Sequence, residues 1–341
     1  MATMDKKFIK NKRNFKKEKQ FYFMMKMKRN MGRGAPAMSQ IFLLTGFLGA
    51  GKTTLMKNLI QQLKDRRLHI IVNEFGREGV DGDLLRELGA QLDEIDNGSI
   101  FCSCRLDRFE EVLSAALDAG PDCILIEASG LADPTGVRQM LGREEYRSRG
   151  VYRGAICLVD AVRFEKVYET ARCCKKQLAA SDLILINKSD LAGPEQLERV
   201  RTIVQNQRPD VPVYTTVRGR VEPEWLKDLC CGRPEERATH TADVSLQKHT
   251  LEVSPDCTGK QMIHILQLLA EDTYRMKGIL RLAEGVYLAD CVGTLLSLAP
   301  YEGACSHAGR LQILSGHGMP VRRAIRTALQ YYPGLLREIK E

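Results

Sequence analysis

Nine residues, "GFLGAGKTT" from Gly46 to Thr54, dictate the local fold around them. They follow the apolar run "IFLLT" at 41–45 and precede Leu55, Leu59 and Leu63, spaced four apart as on one helix face. A strand that turns through glycines into a helix is the P-loop pattern in its required setting. Gly46, Gly49 and Gly51 allow backbone dihedrals and close approaches that a Cβ would block. Amides of the turn, from Gly46 through Ala50 to Thr54, then join the helix N-terminus in a positive cradle for phosphate oxygens. Lys52 adds a mobile charge for β- and γ-phosphates, and the Thr53 hydroxyl can ligate magnesium.

Further short apolar runs follow: "HIIVN" (69–73), "CILIE" (123–127), "GAICLVD" (154–160), "LILIN" (183–187) and "VPVYTT" (211–216). The first four lack polar alternation, which suits strands covered on both faces. The expectation is an α/β fold, a parallel P-loop NTPase sheet with helices on both faces, over residues 40–217. Residues 218–245, polar and broken by Gly and Pro, read as a short helix and a linker. Residues 246–332 then group strands at "KHTLEV", "GILRL", "GVYLAD", "GTLLSLA" and "GRLQILS" with helices around 258–275 and 320–330. That grouping predicts a smaller α+β domain, with 333–341 as a tail.

The choice of base falls to "NKSD", Asn187 to Asp190, at the end of the 183–187 strand, where open α/β sheets bind ligands. An Asp190 carboxylate can accept from both N1–H and the exocyclic amine of guanine, and adenine offers no such pair of donors. Asn187 can reach the base edge and support the P-loop, and the Lys188 stem can stack on the ring. GTP is therefore expected over ATP, and a small-molecule kinase has no use for this motif. In "ILIEASGLADP" (124–134) a strand ends in Glu127, the acid expected to hold magnesium directly or through water. Three residues on, the Gly130 amide can meet the γ-phosphate and move when that phosphate leaves.

The net charge of +8 is unevenly placed. Residues 1–39 carry twelve Lys and Arg against Asp5 and Glu18, leaving 39 basic and 41 acidic side chains in the remainder. The body is nearly neutral, so the basic balance belongs to an extension expected to be disordered. Such an arm can grip RNA or an anionic surface. Its unpatterned charge reads instead as upstream sequence added by the choice of start codon, and no nucleic acid partner is expected. No apolar run approaches the ~20 residues of a membrane span. The apolar stretch "FYFMM" is shorter than the ~7–15 residues of a secretory signal. Eleven cysteines, an odd number, then point to a reducing cytosol, where thiols serve as ligands, nucleophiles or plain buried groups.

Cys102 and Cys104, in "NGSIFCSC" (97–104), are the candidate transition-metal ligands. On an extended backbone, side chains at i and i+2 share a face. Soft sulfur suits zinc or cuprous copper, but a closed zinc site needs about four ligands. Glu74, Glu78, a histidine or a second subunit would have to complete it. The alternative is a pair of reduced thiols on a partly buried loop. The adjacent pairs Cys173–Cys174 and Cys230–Cys231 diverge on a helix, and the six scattered histidines form no tract.

Together, "LLTGFLGAGKTTL", "NEFGREGVD", "IEASGLADP", "LVDA" and "LINKSDL" resemble the CobW/HypB/UreG family of GTPases, and most closely its CobW-like branch. The resemblance runs from residue 40 to about 332, because "DTYRMKGILRL" is similar to the entry into the family's carboxy-terminal domain. It implies slow GTP hydrolysis with magnesium, used to deliver a metal or to assist maturation of a client metalloenzyme or cofactor-dependent enzyme; zinc or cobalt is the ion expected at Cys102 and Cys104 if they bind one. It also implies nucleotide-dependent homodimerisation. Aligned from Asn97 and Gly98, one thiol, Cys102, matches the family's three-cysteine CxCC signature, and Cys104 falls outside it. Arg77 stands where many relatives place a carboxylate, with Glu78 adjacent. Two readings follow: a GTP-driven metallochaperone, or a GTPase that assists a corrinoid- or metal-dependent enzyme without carrying metal itself.

Overall fold

The structure, a computed structural model, describes residues 38–72, 91–94, 106–226, Leu229, 246–303 and 308–339. Two sheets organise them. The first has seven parallel strands in the order β3-β2-β4-β1-β5-β6-β7. These are β1 (Ser39–Gly46), β2 (Leu68–Val72), β3 (Gln91–Glu94), β4 (Cys123–Glu127), β5 (Gly150–Asp160), β6 (Leu183–Asn187) and β7 (Val213–Thr215).

Alternation along each central strand feeds two cores. In β1, Phe42 and Leu44 pack on one face beneath helix α1 (Lys52–Gln62), whose Leu55, Met56, Leu59 and Ile60 are buried there. Ile41 and Leu43 point the other way, to Phe109, Leu113 and Leu117 of α2 (Leu106–Asp118) and Met140 and Leu141 of α3 (Thr135–Leu141). The short α4 (Glu144–Arg147) adds Tyr146 to that core. Further along, Cys157 and Val159 of β5 and Ile184 and Ile186 of β6 meet α5 (Phe164–Thr170), α6 (Arg172–Ala179) and α7 (Pro194–Gln207).

The second sheet is antiparallel, ordered β11-β10-β9-β12-β8-β13. Its strands are β8 (Leu246–Val253), β9 (Arg275–Leu282), β10 (Gly285–Val292), β11 (Leu298–Pro300), β12 (Arg310–Gly316) and β13 (Leu336–Ile339). Helices α8 (Gly259–Ala270) and α9 (Val321–Tyr331) cover one face. Helix α8 starts at a capping box, with the Thr258 hydroxyl accepting from Gln261 N and the Gln261 side chain accepting from Thr258 N. Met262, Ile265, Leu266 and Leu269 form its buried stripe.

Four differences from the sequence expectations have local causes. Residues 333–341 do not trail off: Leu336–Ile339 pairs with β8 through backbone bonds that an unremarkable sequence does not announce. The 218–226 stretch is a set of turns, and Val221, Leu226 and Leu229 are buried under α1, so it belongs to the first unit. The helix expected over 258–275 stops at Ala270, since Thr273 and Tyr274 turn into the junction between the units. The run "GTLLSLA" is mostly a tight turn, with Gly293 at φ 57° and a single bridge from Val292 to Leu295.

The two units share a core directly behind the phosphate loop. Phe47 and Leu48 pack with Val167, Cys173, Cys174, Tyr274 and Leu314. A Cβ on Gly49 would lie 2.7 Å from Val292 Cγ1. Arg163 and Lys166 of the first unit donate to the carbonyls of Thr273 and Glu271, and the Tyr274 hydroxyl donates to Thr170 Oγ1. Among the described residues no helix is long and apolar enough to cross a membrane.

Candidate nucleotide site

The phosphate end is built where β1 becomes α1. Gly51 carries φ 103° and faces Asn187 Nδ2 so closely that no Cβ would fit. This left-handed residue is the N-cap of α1 and offers no side-chain cap to the helix's first amides. Lys52 is buried (4% exposed) and its ammonium donates to Phe47 O at 3.3 Å. Thr53 Oγ1, in the first turn of α1, donates to Glu127 Oε1 at the tip of β4 at 3.1 Å, bringing both proposed magnesium ligands to one place. Glu127 is 1% exposed. A buried ammonium, a hydroxyl and a buried carboxylate around an amide-lined turn fit a magnesium polyphosphate. Gly130 leans on the P-loop itself: a Cβ there would meet Leu48 N at 2.9 Å and Leu48 Cα at 3.0 Å.

The base end lies at the tip of β6. Asn187 is buried; its Nδ2 donates to Ala50 O at 2.8 Å and its Oδ1 accepts from Gly219 N at 2.9 Å. Both ends of this amide are thus engaged in joining loops rather than reaching for a base. Lys188 adopts a left-handed conformation, φ 61°, which few non-glycine residues do. Its ammonium lies 2.6 Å from Asp160 Oδ2 at the tip of β5. Asp190, exposed, sits on the 3-10 turn Ser189–Leu191.

The loop after β7, residues 216–220, completes this end and was not singled out in the sequence. Thr216 O accepts from the Ser189 amide and hydroxyl, at 3.2 and 3.0 Å. Asn58 of α1 donates to Arg218 O and Gly219 O at 2.9 and 2.8 Å. The signal for it was slight: a glycine in "TTVRGR", after a short strand. Asp160 and Gln177 were likewise unflagged. Gln177, on α6 and 1% exposed, donates to Gly130 O at 3.0 Å and to Ala132 O at 3.3 Å. Beside it, Lys176 reaches Asp133 at 2.9 Å. Burial raises the Asp133 pKa, but bonds from Lys176 and Thr135 more than offset this and hold it below the ordinary value.

Cys102, Cys104, Glu74, Arg77, Glu78, Cys230, Cys231, His240 and His307 lie outside the described residues. Among the described residues no three His, Cys, Asp or Glu side chains group to hold a metal. Cys173 and Cys174 are both buried in the junction core. Burial pushes the Cys157 thiol, behind the P-loop, up to about 12.

A parallel sheet with this glycine turn, this lysine and threonine, and an acid on the adjacent strand defines a P-loop GTPase fold. Residues 40–215 match the family model described as CobW/HypB/UreG, nucleotide-binding domain, and the chain belongs to that family. The zinc chaperone YjiA of Escherichia coli is 34% identical over 189 residues, 53% of this chain and 58% of that protein. The zinc chaperone CobW of Sinorhizobium is 34% identical over 227 residues, 58% of this chain and 64% of that protein. The chain thus spans less than two thirds of the length of these curated relatives. The crystal structure of Zn(II)-bound YjiA GTPase from E. coli is similar at 25% identity, covering 86% of this chain and 98% of that one, with a TM-score of 0.45.

Proposed function

We propose that this chain is a GTP-hydrolysing metallochaperone, using a nucleotide switch to hand a metal ion to a client metalloprotein. The observation that carries the reading is Asn187: one buried amide ties the phosphate loop, through Ala50 O, to the base-side loop, through Gly219 N. Phosphate and guanine recognition thereby share one rigid support. Lys52 and the loop amides, with those of Gly46, Gly49, Gly51 and Thr54, hold the phosphates; Thr53 and Glu127 would hold magnesium, which would supply charge neutralisation to the phosphates. Gly130 senses the γ-phosphate, Lys188 lies along the base and Asp190 reads its donor edge. The names of the relatives, zinc chaperones and, in fission yeast, a zinc-regulated GTPase metalloprotein activator, support zinc as cargo.

The second reading, assistance to a partner enzyme without carrying metal, is favoured by the altered "NGSIFCSC" signature. Zinc titration of the wild type and of Cys102→Ser separates them. Stoichiometric, GTP-sensitive binding lost in the variant supports delivery; no binding to the wild type supports assistance. The nucleotide part is tested by calorimetry with magnesium: heat from GTP and GDP but not ATP is expected, and equal heat from ATP would overturn it.

A further inference from the structure

The loop that follows Glu127 is held from behind by a side chain of another element. Ala128 N donates to Leu44 O at 2.9 Å, fixing the loop where it leaves β4. At the next residue, Ser129 O accepts from Ala132 N at 3.0 Å, closing a turn. The Ser129 carbonyl and the Gly130 N–H belong to one planar trans peptide, so engaging the first aims the second in the opposite direction. Gln177 adds an anchor from another element, its Nε2 donating to both Gly130 O and Ala132 O.

The setting makes the donor specific. Gln177 is buried on α6, and one Nε2 serves both carbonyls. A glycine has the most backbone freedom to lose, so Gly130 is the residue whose orientation most needs an outside anchor. Helix α6 is itself tied down near its end, where Arg138 donates to Ala180 O at 2.9 Å and to Asp182 at 3.3 Å.

We propose that Gln177 is a positioning residue for GTP hydrolysis, holding the Ser129–Ala132 turn so that the Gly130 amide meets the γ-phosphate. This rests on the GTPase reading above. Gln177 acts through Gly130 and not on the nucleotide or the attacking water. The γ-phosphate contact is therefore sensitive to its loss, and the α- and β-phosphate contacts made by the P-loop are not.

The test measures single-turnover GTP hydrolysis with magnesium, and affinities for GDP and a non-hydrolysable GTP analogue, on the full chain. Gln177→Met keeps the volume and removes the donor; Gln177→Leu is the second variant. Both are expected to hydrolyse GTP about tenfold more slowly and to lose preference for the GTP analogue over GDP, with GDP affinity unchanged within about twofold. Absence of GTP turnover in the wild type overturns the GTPase reading and this inference with it. Wild-type turnover with unimpaired variants overturns this inference alone. Loss of GDP binding in both variants also overturns it, since the glutamine would then support the domain at large.

Discussion

Phe47 and Tyr274 meet edge to face, with ring centroids 4.9 Å apart and an interplanar angle of 83°. The first belongs to the phosphate loop and the second to the segment entering β9, so the candidate nucleotide site rests on an aromatic pair contributed by both units. Tyr274 is fully buried and its hydroxyl reaches Thr170. Tyr274→Ala is expected to destabilise the chain by about 3–5 kcal/mol, as large aromatic truncations in cores do, and to weaken GDP binding with it. Thermal unfolding with and without GDP checks this. Tyr274→Phe, which removes the hydroxyl alone, should lose about 1 kcal/mol and keep GDP affinity.

Asp160 fixes the Lys188 ammonium at 2.6 Å, and its other oxygen accepts from Val162 N at 2.9 Å. Asp160→Asn is expected to lower GTP and GDP affinity roughly tenfold, the equivalent of one charge-assisted hydrogen bond of about 1.5 kcal/mol. Calorimetry reads it directly. An unchanged affinity would show that Lys188 does not need this carboxylate to lie along the base.

At Asp190 the expectation is a change of partner rather than a general loss. An asparagine there presents a donor where the carboxylate presented an acceptor, so Asp190→Asn should lose GTP and gain xanthosine triphosphate, whose ring carries oxygen in place of the amine. Competition between the two nucleotides on wild type and variant measures the exchange.

Thiol chemistry separates the cysteines. Cys123, Cys157, Cys173, Cys174, Cys257 and Cys291 are buried, and burial pushes the thiols of Cys123 and Cys157 up to about 12. None of these six is expected to react with a thiol reagent at pH 7–8 while the chain is folded. Any rapid labelling is assigned by mass mapping. Protection of Cys102 and Cys104 by zinc, and of no other thiol, is the outcome that fits metal carriage.

The Asp133–Lys176 pair gives a signed pH dependence. Its carboxyl pKa is depressed on folding, so its contribution is fully present above the unfolded value, about 3.9, and is lost as pH falls through the folded one. Both side chains are partly exposed, which limits the contribution to about 1 kcal/mol or less. Asp133→Asn should lower the melting temperature slightly at pH 5–8. The difference should vanish in strong acid.

What sequence could reveal follows from how local each feature is. β4 and β6 were legible residue for residue, because unbroken apolar runs have few other homes than a doubly covered sheet. The P-loop, Glu127 and Asn187–Asp190 stand out as candidates in the sequence because their spacing along the chain carries the proposed chemistry. Gln177, Asp160 and residues 216–219 do not. Gln177 lies 47 positions from the carbonyl it holds, and Gly219 lies 32 from Asn187. Nothing in the composition of α6 marks a glutamine as different from any other polar residue until the fold brings it under Gly130. β3 and β13 escaped for a related reason: each is a four-residue edge strand defined by backbone pairing to a neighbour.

The shared core behind the phosphate loop bears on how the protein can be dissected. Severing the chain between β7 and β8 would leave Phe47, Leu48 and Val167 bare on one fragment and Tyr274 and Leu314 bare on the other. Each piece would carry an oily scar, the first of them immediately beneath its glycine turn. An isolated amino-terminal fragment is thus a poor surrogate: weak nucleotide binding or clumping in such a preparation would report the missing neighbour, not the intact chain.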